Sequence, residues 1–66
     1  MKIVVNGKAL TCDDDLTVQD LLMEMGLTPS AIIVERNAGF VQRSDFQTTT
    51  LSEGDSLELI QFVGGG

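Results

Sequence analysis

The chain has 66 residues, with ten acidic side chains against four basic ones and a formal net charge of −6, and it contains one Cys but no His, Trp or Tyr. A chain of this length forms one domain and buries only about 60% of the surface that its unfolded form exposes, which leaves little room for an internal substrate cavity. Without His it also lacks the usual acid-base and metal-binding side chain near neutral pH. We therefore do not expect a self-contained enzyme.

Charge and cysteine count exclude further classes. The negative charge repels nucleic acid phosphates, and a single Cys can form neither an intramolecular disulfide nor a structural zinc or iron-sulfur site. The four basic residues are scattered along the chain, at Lys2, Lys8, Arg36 and Arg43. The first apolar run is too short for a signal sequence, and no run approaches the roughly 20 residues of a membrane span. We expect a cytoplasmic domain that contacts neither nucleic acid nor membrane and binds no cofactor.

The first two predicted strands cover residues 3–5 and 8–12. They flank Asn6-Gly7, a pair that favours a tight hairpin turn because both central residues of a type I′ turn need positive φ. In that register Val5 faces Lys8 and Ile3 faces Leu10. The core face of the hairpin would then carry Ile3, Val5, Leu10 and Cys12.

A helix is predicted to follow an acidic turn. Thr17 stands at the position of an N-cap, with Asp20 three residues later as a capping-box partner. Gly26 is placed to end the helix, and Pro29 prevents it from resuming. The apolar side chains have the spacing of one helical stripe and are Val18, Leu21, Leu22 and Met25.

The second half of the chain predicts three more strands, at 31–36, 40–42 and 57–63. A turn at 37–39 separates the first two, and the segment 43–51 alternates poorly and is interpreted as a loop with one helical turn around 44–47. The order β-β-α-β-β-β predicts an α+β fold of the β-grasp type, a mixed five-stranded sheet packed on one main helix. We expect this domain to span 1–63, followed by a flexible glycine tail at 64–66.

Two features that could carry chemistry have plainer interpretations. Cys12 is interpreted as a small buried apolar side chain rather than a reactive thiol, because three aspartates follow it and raise its pKa. Those aspartates, Asp13, Asp14 and Asp15, lack the spacing of a calcium loop and are interpreted as a solvated turn.

The last strand offers a candidate partner-docking patch. Leu57 and Leu59 point to one face, whereas Glu58, Ile60 and Phe62 share the other. A sheet with one helix has one uncovered face, so Ile60 and Phe62 would be exposed there. Alternatively, the segment 43–51 folds over them, and the sequence does not decide between the two arrangements.

Three glycines end the printed sequence, at Gly64, Gly65 and Gly66. They cannot form a phosphate-binding loop, because such loops lead into a helix. They could be a cloning remnant or an unstructured extension. They could also be a thin rod, free of side chains, that enters a narrow channel and presents a terminal carboxylate to another protein. Such a carboxylate is a poor electrophile and needs activation, for example as an acyl adenylate.

Several stretches together resemble the ThiS family of sulfur carrier proteins, which are ubiquitin-like β-grasp proteins. The resemblance covers essentially the whole chain. It rests on VNG at 5–7, TVQDLL at 17–22, VERN at 34–37, FVQR at 40–43, LSEGD at 51–55 and FVGGG at 62–66. Gln42 departs from the pattern, since members of the family often have Pro before the Arg, but this alters only a loop.

The resemblance implies a carrier or cosubstrate rather than an enzyme. A ThiF-type enzyme would use ATP to adenylate the carboxylate of Gly66, and sulfur from a cysteine desulfurase would convert it to a thiocarboxylate. Thiazole synthase, a ThiG-type enzyme, would then take the sulfur for the thiamine precursor. The tail of Gly64, Gly65 and Gly66 would enter the partner's active site, and the free chain would be a monomer.

Three alternatives remain open at this point. The small subunit of molybdopterin synthase shares the fold and the Gly-Gly end, although it usually is longer and often has Pro before the tail. A ubiquitin-like modifier would end in an isopeptide bond to a target Lys. A plain binding module would use the face of Ile60 and Phe62 and would tolerate loss of the tail.

Overall fold

The computed structural model describes residues 1–61. Five strands and one α-helix follow the predicted order. The elements are β1 (Lys2–Val5), β2 (Lys8–Thr11), α1 (Val18–Glu24), β3 (Ile32–Arg36), β4 (Gly39–Val41) and β5 (Ser56–Gln61), with short 3-10 helices at Pro29–Ala31 and Arg43–Asp45. No helix formed by residues 1–61 has the length and apolar character needed to span a membrane.

The strands form one mixed sheet in the order β2-β1-β5-β3-β4. β5 lies in the centre, parallel to β1 and antiparallel to β3, while the outer pairs are antiparallel. The prediction of a mixed five-stranded sheet on one helix is therefore confirmed. The predicted boundary between 1–63 and the tail at 64–66 lies outside the described residues.

The first hairpin has the predicted register, with Val5 opposite Lys8 and Ile3 opposite Leu10. Its turn residues Asn6 and Gly7 have φ of 50° and 82°, as a type I′ turn requires. Ile3 and Val5 are buried, but the prediction that Leu10 belongs to the core is wrong, since its side chain is 38% exposed. β2 is an edge strand, so the short helix does not reach across it.

The helix begins with the predicted capping box. The Asp20 N–H donates to Thr17 Oγ1 at 3.1 Å, and the Thr17 N–H donates to Asp20 Oδ2 at 3.2 Å. The helix ends before Gly26, whose φ is 73°, so the chain turns away at Met25. Met25 is 44% exposed, and its predicted place in the core is wrong for that reason. Val18, Leu21 and Leu22 are buried as predicted.

The turn after β3 is tighter than predicted. Asn37 and Ala38 have φ of 50° and 70°, and Arg36 pairs with Gly39 directly across the turn. A two-residue turn thus replaces the predicted three-residue one, and β4 begins at Gly39 instead of Phe40. The sequence Asn-Ala is a weaker indication of this turn than Asn-Gly, because Ala rarely adopts positive φ.

The segment 43–51 packs on the helix side of the sheet. Its Phe46 and Leu51 side chains are 2% and 3% exposed. The Gln19 N–H donates to the Phe46 carbonyl at 3.0 Å, and the Leu51 N–H donates to the Leu16 carbonyl at 2.8 Å. The segment therefore completes the core beside the start of the helix and leaves the opposite face of the sheet uncovered.

Candidate functional site

The sheet face opposite the helix carries an exposed apolar surface, which we call the open-face patch. It consists of Val4, Ile33, Phe40 and Ile60, whose exposed fractions are 37%, 37%, 71% and 48%. These residues come from β1, β3, β4 and β5, and Val4 and Ile33 lie between buried neighbours on their strands. Ile33 lies directly opposite Ile60. The fold therefore gathers four apolar side chains from separate parts of the chain on one face.

Ile60 was predicted for this face, and its exposure agrees with a location that the segment 43–51 does not cover. Phe62, the other predicted residue of the patch, lies outside the described residues. A docking role for either residue stays a prediction. Sequence alternation did not identify Val4, Ile33 and Phe40 as part of the patch, because strand order and register are needed to place them on the same face as Ile60.

The strand that leads into the glycine segment is held on both sides. β3 pairs with β5 as far as Gln61, which lies opposite Ile32. On the other side β1 ends at Val5, and Asn6 continues the support. The Asn6 N–H donates to the Leu57 carbonyl at 2.9 Å, and the Leu59 N–H donates to Asn6 Oδ1 at 2.8 Å. Asn6 therefore forms the turn and also fixes β5 beyond the end of β1.

A buried carboxylate fixes the start of the same strand. Asp55 accepts hydrogen bonds from Arg36 Nε at 2.8 Å, Asn37 Nδ2 at 3.0 Å and the Ser52 N–H at 2.8 Å. Burial raises the pKa of the Asp55 carboxyl, but the hydrogen bonds and the charge of Arg36 outweigh it and hold the pKa below its ordinary value. Asp55 is thus ionised at neutral pH and has a structural function.

The tail residues Gly64, Gly65 and Gly66 lie outside the described residues. Their proposed chemistry therefore rests on the sequence and on the comparisons below. The structure describes the strand that precedes them in the sequence, β5, as far as Gln61. β5 is centred in the sheet, and Ile60 of the open-face patch lies on this strand a few residues earlier.

Cys12 lies next to the core at the end of the first hairpin. Burial raises the pKa of its thiol, the N-terminal amino group opposes that effect, and Glu24, Asp13 and Asp14 raise the pKa further. The thiol is therefore protonated at neutral pH, which agrees with its interpretation as a small apolar side chain. Within residues 1–61, no three Cys, Asp or Glu side chains are grouped closely enough to hold a metal ion.

An open groove of about 410 Å³ lies between β2 and the end of the helix. Val5, Leu10 and Met25 supply its apolar wall, and Lys8 is its charged residue. A single ammonium group provides neither an acid-base pair nor a ligand set, so the groove offers no catalytic constellation.

The comparisons with known proteins agree with this architecture. A sequence profile described as the ThiS family matches residues 3–66. The chain belongs to the ThiS family of sulfur carrier proteins. The chain is 36% identical to the sulfur carrier protein ThiS of Bacillus subtilis over 63 residues, covering 94% of this chain and 96% of that protein. The resemblance stated from the sequence is thereby confirmed.

A solved structure confirms the fold as well. The chain superposes on the crystal structure of the thiamine biosynthesis protein ThiS from Geobacter metallireducens with a TM-score of 0.85, at 36% identity, over 100% of both chains. The ubiquitin-like β-grasp fold predicted from the element order is therefore shared with another ThiS protein.

The chain also matches part of larger proteins. It is 38% identical over 66 residues to proteins named thiazole synthase from Paramagnetospirillum magneticum and Magnetococcus marinus. That match covers all of this chain but spans only a fifth (20%) of the length of each relative. A ThiS-like segment therefore occurs within the same polypeptide as a thiazole synthase in those organisms.

Proposed function

We propose that this chain is a sulfur carrier of thiamine biosynthesis whose reacting group is the carboxylate of Gly66. The observation that carries the proposal is the match of nearly the full chain to a sulfur carrier protein of almost the same length, 96% of which is covered. The family profile extends through Gly66 itself. The carrier presents a carboxylate, and partner enzymes supply the catalytic groups.

The first step is adenylation by a ThiF-type enzyme. A carboxylate oxygen of Gly66 attacks the α-phosphorus of ATP, and pyrophosphate leaves with the electron pair of the broken bond. The product is an acyl adenylate, a mixed anhydride with a good leaving group. Activation is required because the free carboxylate is ionised at pH 7 and is a poor electrophile. ATP binds to the partner and not to the carrier.

Sulfur transfer then replaces AMP. A sulfide-level nucleophile attacks the carbonyl carbon of the adenylate, AMP departs with the bonding electrons, and a thiocarboxylate remains on Gly66. A cysteine desulfurase is the proposed ultimate source of this sulfur: it delivers a persulfide, and a thiol reductant releases sulfide from it while the thiol is oxidised to a disulfide. We assign Cys12 no part in the transfer, since it packs against the core and burial and neighbouring carboxylates raise its thiol pKa.

The glycines suit a tail that enters a partner's active site. Gly64, Gly65 and Gly66 have no side chains, so the segment fits a channel too narrow for any other residue type. Gly66 lies six positions after Ile60. An extended segment of that length reaches roughly 20 Å. An activating enzyme that contacts the open-face patch must therefore hold its ATP site within about that distance.

We propose that the open-face patch, together with Phe62, docks the activating enzyme. Exposed apolar side chains grouped on one face are typical of protein interfaces. Ile60 of the patch lies on the strand that leads into the tail, so one docking event would position both. The free chain is proposed to be a monomer, which leaves this face accessible.

Thiazole synthase is the proposed acceptor of the sulfur. Support comes from the two thiazole synthases that contain a match to the whole chain within a fifth of their own length. Fusion of carrier and synthase would raise the effective concentration of the carrier at the synthase and so favour their binding.

Pyrophosphate exchange tests the adenylation step. The chain, ATP and the candidate activating enzyme are incubated with labelled pyrophosphate, and label in ATP reports reversible adenylate formation. We expect exchange with the full chain and none with a variant that lacks Gly66. Equal exchange by the truncated variant would exclude Gly66 as the reacting residue. Recovery of the chain attached to Lys side chains of other proteins would instead favour a ubiquitin-like modifier.

A further inference from the structure

Two glutamates face each other in the middle of the open face. Glu35 on β3 and Glu58 on β5 are direct partners in the antiparallel register. Their strand neighbours Val34, Leu57 and Leu59 point to the core, so both carboxylates project to the uncovered side. Opposed side chains on antiparallel strands have Cβ atoms about 5 Å apart. The sheet therefore holds two negative charges side by side.

The pair borders the open-face patch. The next pair along the two strands on this face is Ile33 opposite Ile60, and Phe40 lies opposite Glu35 on β4. All three apolar side chains are exposed. The two carboxylates thus lie beside three exposed apolar side chains, and a partner that covers these would reduce the dielectric screening of the charges.

Nothing in the described part of the chain neutralises these charges. The ion pairs among residues 1–61 are Arg36 with Asp55 and the N-terminal amino group with Asp14. Arg36 follows Glu35 directly, but its Nε is bonded to Asp55. Like charges directly opposed across two strands destabilise a sheet. Among residues 1–61, the two glutamates thus stand opposite each other without an ion-pair partner.

We propose that Glu35 and Glu58 together bind a cationic side chain, preferentially an arginine guanidinium, on the docking surface of the adenylating enzyme. A guanidinium is planar and has five N–H donors, so it can bond two carboxylates at once, and its flat faces pack against apolar side chains. The net charge of −6 favours a basic partner surface in the same way. This inference rests on the proposed function, because it names the surface by which the carrier meets that enzyme.

The proposal predicts opposite effects on folding and on binding. Neutral glutamines at both positions remove the repulsion and leave the folded chain at least as stable as before. The same change deprives the partner's cation of its counter-charges and weakens binding. A pair with a purely structural role would instead lose stability when altered, so the two measurements together separate the alternatives.

The test uses the full chain with Glu35→Gln, Glu58→Gln and the double variant. Glu24→Gln is the matched control, since Glu24 is an exposed glutamate on the helix layer. Calorimetry without ATP gives the Kd for the activating enzyme at several salt concentrations, and thermal unfolding gives stability. We expect the double variant to bind about tenfold more weakly with a shallower salt dependence. Its melting midpoint should equal or exceed that of the wild type, and the control should match the wild type in binding.

Equal affinity of the double variant and the wild type would overturn the inference. A weaker affinity accompanied by a lower melting midpoint would overturn it too, because loss of fold would then explain the loss of binding. Failure of the proposed function has a different signature. In that case the wild type acquires no adenylate or sulfur at Gly66, whatever the affinities of the glutamine variants.

Discussion

Arg36 Nε donates a hydrogen bond of 2.8 Å to Oδ2 of Asp55, whose side chain is almost completely buried. Two more donors, Asn37 Nδ2 and the Ser52 N–H, bond the same carboxylate. The Asn37 side chain also accepts from the Ser56 N–H at 2.9 Å. This cluster joins the end of β3 to the beginning of β5 and so fixes the strand that leads to the tail.

The cluster predicts a contribution to stability that depends on acid. The folded-state pKa of Asp55 lies below its ordinary value, so the unfolded state binds a proton more readily. The stabilisation is therefore complete above the unfolded pKa and is lost as pH falls through the folded pKa. Asp55→Asn should cost about 2 kcal/mol at pH 7 and flatten the fall in stability below pH 4.

Urea unfolding at a series of pH values between neutral and strongly acidic measures this effect. Asp45→Asn is a suitable control because Asp45 is an exposed carboxylate. If the free energy of unfolding of Asp55→Asn falls with decreasing pH in parallel with that of the wild type, the cluster does not couple folding to protonation.

The side chain of Asn6 is predicted to hold β5 where β1 has ended. Asn6→Gly keeps the positive φ of the turn but removes the oxygen that accepts from Leu59. We expect a loss of about 1 kcal/mol and faster amide exchange at Leu59. Asn6→Asp retains an oxygen acceptor and should lie closer to the wild type in both measurements. Unchanged protection of Leu59 in the glycine variant would contradict this function of Asn6.

Ala38 occupies a left-handed conformation with φ of 70°. Ala38→Gly relieves that strain and should stabilise the chain by about 1 kcal/mol, which raises the melting midpoint by roughly 4–8 °C in a domain of this size. Ala9→Gly in the extended strand β2 is the matched control and should lower stability. Differential scanning calorimetry measures the melting midpoints of both variants. A midpoint of Ala38→Gly below that of the wild type would show that the turn is not strained.

Local rules predicted most of this fold because its turns and caps involve neighbouring residues. The Asn6-Gly7 turn, the Thr17 capping box and the end of the helix at Gly26 are set within a few residues, and all three are present. Burial was harder to predict. Leu10 and Met25 have apolar spacing, but an edge strand and a short helix leave them half-exposed.

Contacts between distant segments were not predictable from one sequence. Phe46 lies in a segment without clear periodicity, and only its packing beside the helix makes it part of the core. The register between β3 and β5 places Glu35 opposite Glu58 and Ile33 opposite Ile60. Alternation along a single strand gives the face of each residue but not its cross-strand partner, so the open-face patch was only partly predicted.

The open-face patch predicts a loss of activation without a loss of fold. Ile60→Ser should lower kcat/KM for adenylation by about tenfold, because truncating a central apolar contact of an interface costs more than 1 kcal/mol. Met23→Ser is the matched control, since Met23 is 61% exposed on the helix. Circular dichroism checks the fold of both variants. Equal adenylation kinetics for the two would place the docking surface elsewhere.

Intact mass spectrometry tests the sulfur-carrier function most directly. The chain is incubated with ATP, the activating enzyme and sulfide, beside a variant lacking Gly66 and a reaction without ATP. We predict that the full chain gains the mass of one oxygen-to-sulfur exchange, that fragmentation locates it on Gly66, and that both controls stay unchanged. Sulfur incorporation in the truncated variant, or none in the full chain while the enzyme is active on another carrier, would contradict this function.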